Sequence, residues 1–90
     1  MRDIYDIVDL CHDLSDYNRM VIGYQEDVDR YKGSLEDLKF LSRLATNEHA
    51  IMDLNRLIEE QEWSLRSWKC HLRDIKVMIA SVKKKIKEIA

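Results

Sequence analysis

Residues 42–51 read SRLATNEHAI, and two regular patterns meet there out of step. Upstream, Ile7, Leu10, Leu14, Tyr17, Val21, Tyr24, Val28, Tyr31, Leu35, Leu38, Ser42 and Ala45 recur at alternating intervals of three and four. That alternation is the a/d seam of a heptad repeat, the stripe one helix turns toward another. Downstream the same rhythm runs through Ile51, Leu54, Ile58, Gln61, Leu65, Trp68, Leu72, Ile75, Ile79, Val82, Ile86 and Ile89. Extending the first seam past Ala45 would place the next a residue at His49, yet the second seam opens at Ile51. A chain that loses phase in this way either inserts a stutter or turns back. Thr46 and Asn47 are candidate helix N-caps, and Glu48 follows where the positive end of a helix dipole favours an acid. The stretch therefore predicts a tight turn near 46–48, joining a helix over 3–46 to a helix over 48–89. The fold class is all-α: a single antiparallel helical hairpin over 1–90, expected to assemble into a helical-bundle oligomer, a homodimeric four-helix bundle or higher.

The register of such a hairpin can be read directly. Folding at the turn sets Ile7 against Ile89, Leu14 against Val82, Tyr17 against Ile79, Tyr24 against Leu72, Val28 against Trp68 and Tyr31 against Leu65. Every a residue of the first helix then meets a d residue of the second, without a skip. Tyr17, Tyr24 and Tyr31 all occupy d, where a ring fills the seam and a hydroxyl reaches its rim. One stretch competes with this reading. In YKGSLEDL, residues 31–38, Gly33 resembles a C-terminal cap, and Ser34 with Asp37 resembles a new capping box. The heptad phase nevertheless crosses Gly33 intact, so the first helix is predicted to be continuous or kinked there, a true break being the alternative.

Charge points the same way. Asp3, Asp6, Asp9, Asp13 and Asp16 crowd the first turns, whereas Lys76, Lys83, Lys84, Lys85 and Lys87 crowd the last. A hairpin lays these blocks side by side, and a parallel dimer would stack like on like. Arms of this length predict a rod of about 60–65 Å at about 1.5 Å per residue.

The remaining composition narrows the function classes. The chain has 90 residues, no proline, two glycines, 46% hydrophobic and 36% charged residues, as long-helix proteins do. A chain this short buries a limited core and often needs a partner. A net charge of −2 argues against a nucleic-acid partner, and no apolar run approaches a membrane span. Cys11 and Cys70 are too few for a disulfide framework, and the opening MRDIYDIVDL is too acidic for a targeting segment, which together suggest a reducing cytoplasm. His12, His49 and His71 fall on outer positions. Neighbours on a helix point about 100° apart, so Cys11–His12 and Cys70–His71 are not nucleophile–base pairs. No phosphate loop, paired Glu-x-x-His or HExxH motif occurs. The expectation is a non-enzyme without metal or cofactor.

Two surfaces stand out. Trp63, Cys70 and Val77 share the f position of the second helix, with Leu57 and Met78 at g, where a two-stranded rod should be polar. Phe40 and Leu44 extend this apolar strip near the turn. It predicts a partner-binding face, scattered surface apolar residues being the plainer alternative. Second, Arg66, Lys69, Arg73, Lys76, Lys83 and Lys87 occupy b and e of the second helix, with Lys32 and Lys39 at e of the first. Asp53, Glu60, Asp74 and Glu88 collect at c. The basic edge is a candidate site for an anion or an acidic partner surface, formed chiefly by Lys32, Lys39, Arg66, Lys69, Arg73 and Lys76; a solvated helix face is the plainer alternative.

The expected function is a coiled-coil interaction or regulatory protein that works through helix–helix contact and homo-oligomerisation, with itself and another protein as partners. The alternative is a small inhibitor or sequestering protein, of the phage-encoded kind by analogy of size and shape, that blocks an effector or traps an anionic, nucleotide-like molecule between subunits.

Overall fold

The computed structural model describes residues 4–89. Helix α1 runs Ile4–Leu44 and helix α2 runs Glu48–Ile89, and among the described residues there is no strand. The two helices pack along their length as a rod with extents of 70 × 14 × 13 Å, most of whose length is the arm itself. The reversal is visible at the open end, where Asp6, Asp9 and Leu10 of α1 line one shallow cavity with Lys85 and Ile89 of α2.

Helix α1 stops at Leu44, two residues short of the expected 46, and the connection is Ala45–Asn47, one residue earlier than the expected turn. Residue 3, the expected start of α1, lies outside the described residues. Helix α2 opens at Glu48, as expected, and its start is set by a cap. Asn47 stays outside the helix so that its Oδ1 can accept hydrogen bonds from the backbone N–H of His49 at 2.8 Å and of Ala50 at 3.4 Å. Asn47 also accepts the first intrahelical bond, its carbonyl taking the N–H of Ile51 at 2.9 Å. Of the two candidate caps, Asn47 is the one used.

The core is the seam and nothing else. Val28, Leu35, Leu72, Ile75, Ile79 and Val82 are buried, and every one is an a or d residue. The other seam positions, from Ile7 to Ala45 and from Ile51 to Ile89, are half-buried. Val28, Leu72 and Ile75 form its centre, with Tyr17, Val21, Tyr24, Leu65 and Trp68 packed against them, the set that the expected register brings together. Tyr24 and Trp68 tilt against each other with ring centroids 5.4 Å apart. No polar or charged side chain is buried among the described residues, so nothing in the seam needs an internal partner. Gly33 lies inside α1, without a break, at negative φ. A methyl group built on it would touch nothing within 4 Å. Ser34 and Asp37 accordingly do not cap a new helix.

Candidate functional site

The pairing of two antiparallel helices gives the rod two unlike flanks. One is made of e and b residues of both helices, the other of g and c residues. Lys39 and Glu62, both at e, meet across the first flank at 3.7 Å. Asp6 and Lys85, both at g, share a cavity on the second.

Of the expected partner face, Trp63, Cys70, Val77, Leu57 and Met78 are all exposed. Trp63 and Val77 show 69% and 64% of their surface, more than any seam residue. They do not form one groove. Trp63 lines a hollow of about 400 Å³ with Glu59, Glu60 and Ser64. Val77 instead borders a hollow of about 450 Å³ floored by Leu72 and Ala80 and rimmed by Lys69, Arg73 and Lys76. Cys70 lies between them on the helix and lines neither; it is a free thiol, as is Cys11. The strip is thus two separate apolar spots on one line of the helix. Phe40 and Leu44 are exposed near the turn, at 54% and 63%.

The basic residues do converge. Lys69, Arg73 and Lys76 share the rim of the Val77 groove, and Lys69 joins Arg66 in the adjoining hollow of about 220 Å³ over Leu65 and Glu62. Lys39 is held toward α2 by Glu62, and Lys32 is exposed at the same e flank. An aliphatic floor under a cationic rim can take a flat or apolar group that carries negative charge.

Two features were not foreseen from the sequence. His71, read there as an outer residue, leans onto the seam. Its ring is 5.5 Å from Trp68, edge-on, and 6.1 Å from Tyr24. Its g position, next to d, was the signal that could have placed it there. The second is the fate of the terminal charges. Asp6, Asp9, Asp13 and Asp16 stand at g and c, and most lysines of the last turns stand at e and b. They are side by side along the rod but on opposite flanks around it. No ion pair joins the two blocks: the ion pairs among the described residues are Asp16–Arg19, Asp27–Arg30 and Arg73–Asp74 within helices, and Lys39–Glu62 between them.

Among the described residues no group of three His, Cys, Asp or Glu side chains is placed to hold a metal, and no helix is long and apolar enough to cross a membrane. Compared with protein-family models, curated proteins and solved structures, the chain finds no match.

Proposed function

We propose that this protein is a non-enzymatic interaction module that acts through helix–helix contact, first with copies of itself and then with another protein. One observation carries the reading: the seam already consumes the apolar stripe of both helices, yet Trp63 remains 69% exposed on the face opposite it. A lone surface leucine is ordinary, but a tryptophan held out on a helix face is the kind of residue that anchors an interface. A two-helix rod also has a small core, which association would enlarge. A reducing, cytoplasmic setting suits the two free thiols.

The test is the assembly state. Sedimentation of the unmodified protein should give a species heavier than one chain, and Trp63→Asp should weaken that association roughly tenfold or more while helicity survives. A monomer at every concentration would overturn the reading.

The rimmed groove favours a second reading, in which the protein sequesters an anionic molecule or blocks an effector. Its support is the convergence of Lys69, Arg73 and Lys76 over the apolar floor of Leu72 and Ala80. Titration with a nucleotide, followed by calorimetry at low and high salt, separates it: no heat at low salt excludes that ligand.

A further inference from the structure

We propose that copies of this chain associate side by side, the basic flank of one rod seated on the acidic flank of the next, with all rods pointing the same way. The proposal rests on the self-association reading and goes beyond it, naming a contact between the flanks, distinct from the Trp63 face, and its orientation.

The argument begins with the charge that the rod leaves uncompensated. On the g/c flank every charged residue among those described is acidic, apart from Arg30 and Lys85. Arg30 is already engaged by Asp27, its Nη2 donating to Oδ1 at 2.9 Å. On the e/b flank, from Arg66 to Lys87 of α2, every charged residue is basic. The α1 residues beside them at e and b are Cys11, Ser15, Asn18, Ile22 and Gln25, which carry no charge, and Asp29, which accepts a hydrogen bond from the Gln25 amide at 3.1 Å. Neither flank can reach the other within one chain, because the packed seam lies between them. Each flank opposes the other in sign, so a second copy supplies the missing counter-charge.

Apolar surface coincides with the charge. Met20 and Met78 stand at g on the acidic flank, 39% and 44% exposed, and the register sets them across from each other. At the same height on the basic flank are Ile22, 61% exposed, and the groove of about 450 Å³ over Leu72, Val77 and Ala80. Flexible methionines are well suited to fill an open groove. The pairing of two apolar spots at one level, each ringed by charge of opposite sign, is the complementarity an interface uses for affinity and register.

Orientation follows from where the charges lie. Asp6, Asp9, Asp13 and Asp16 and the run Lys69–Lys87 both belong to the half of the rod that holds the chain ends. Parallel neighbours bring those halves together. Reversed, the same aspartates would meet the turn half of the e/b flank, where Glu36, Glu59 and Glu62 offset Lys32, Lys39 and Arg43 and leave no net positive charge to attract them. The contact joins unlike surfaces, so it is heterologous: it closes as a ring of rods or continues as an open row, and does not stop at a two-fold dimer.

The test uses the full chain and two exposed charge-swap variants that leave the seam alone. One carries Arg73→Glu, Lys76→Glu and Lys83→Glu; the other carries Asp9→Lys, Asp13→Lys and Asp16→Lys. Circular dichroism checks that each remains helical, and sedimentation in low salt reports assembly. Each variant alone should associate at least about tenfold more weakly than the unmodified chain. Mixed in equal amounts they should re-associate into species containing both, because each now offers flanks of one sign to a partner of the other. High salt should dissolve both the native and the mixed assemblies. If the unmodified protein assembles and either variant keeps that assembly, or if mixing restores nothing, the flank-to-flank contact is overturned while self-association through Trp63 stands. If the unmodified protein is a monomer throughout, both fall.

Discussion

Asn47 belongs to neither helix, and its carboxamide replaces the turn that α2 lacks at its start. Its Oδ1 serves two backbone donors that would otherwise have no protein partner, at 2.8 and 3.4 Å. Asn47→Ala should therefore lower unfolding free energy by about 1 kcal/mol, read from urea denaturation, whereas Thr46→Ala should change it far less. Ile75 is the opposite kind of residue: buried to 4% exposure and joined to Val28 and Leu72 at the centre of the seam. Truncation to alanine removes buried methyl groups and leaves a void, and about 2–4 kcal/mol should be lost in the same measurement. Tyr24, Trp68 and His71 form one aromatic group, His71 lying over the edge of the seam. A d-position tyrosine fills width that leucine would leave open, which is why the seven-residue repeat of Tyr17, Tyr24 and Tyr31 is legible as packing.

At the scale of the element, α1 is instructive because its local signals disagree. Gly33, Ser34 and Asp37 carry the signature of a helix end and restart, and a peptide of this stretch alone would have reason to fray there. The helix continues because Tyr31, Leu35 and Leu38 on either side are drawn into one seam against α2. Long-range burial of those side chains outweighs a glycine cost of about 1 kcal/mol. Gly33→Ala should accordingly stabilise the protein by roughly 0.5–1 kcal/mol, since the added methyl meets nothing and φ is helical. A fall in the denaturation midpoint of that variant would mean that the glycine is required for a bend in the native state.

At the scale of the whole molecule the hairpin is held by one continuous apolar interface and by very little else. The ion pairs are exposed and worth about 0.2–1 kcal/mol each at most. Register is therefore a property of the seam. With Cys11 and Cys70 changed to serine, cysteines placed at Leu14 and Val82 should form a disulfide within one chain, and mass spectrometry of the unreduced protein should find the crosslinked monomer in high yield. A product linked only between chains would contradict the fold. The flanks have the reverse character: they contribute little to folding, so the charge-swap variants should unfold within about 1 kcal/mol of the unmodified chain when compared in high salt.

The hairpin, its register and its buried residues are legible in the sequence, because a helix has a fixed period and burial must follow it. The alternating intervals from Ile7 to Ala45 and from Ile51 to Ile89 name the seam residue by residue, and the loss of phase between Ala45 and Ile51 marks the turn. What required the tertiary structure was everything that depends on which side of one helix lies beside which side of the other. The acidic first turns and basic last turns look, along the chain, like blocks made to neutralise each other. Only the packed pair places Asp6, Asp9, Asp13 and Asp16 at g and c on one flank and most of the lysines at e and b on the other, with the seam between them. The same holds for His71, whose approach to Trp68 and Tyr24 comes from two helices, and for Gly33, whose local stop signal gives way to contacts with α2. Periodicity is a local property that one strand of sequence expresses fully; sidedness around a rod exists only once two helices have met.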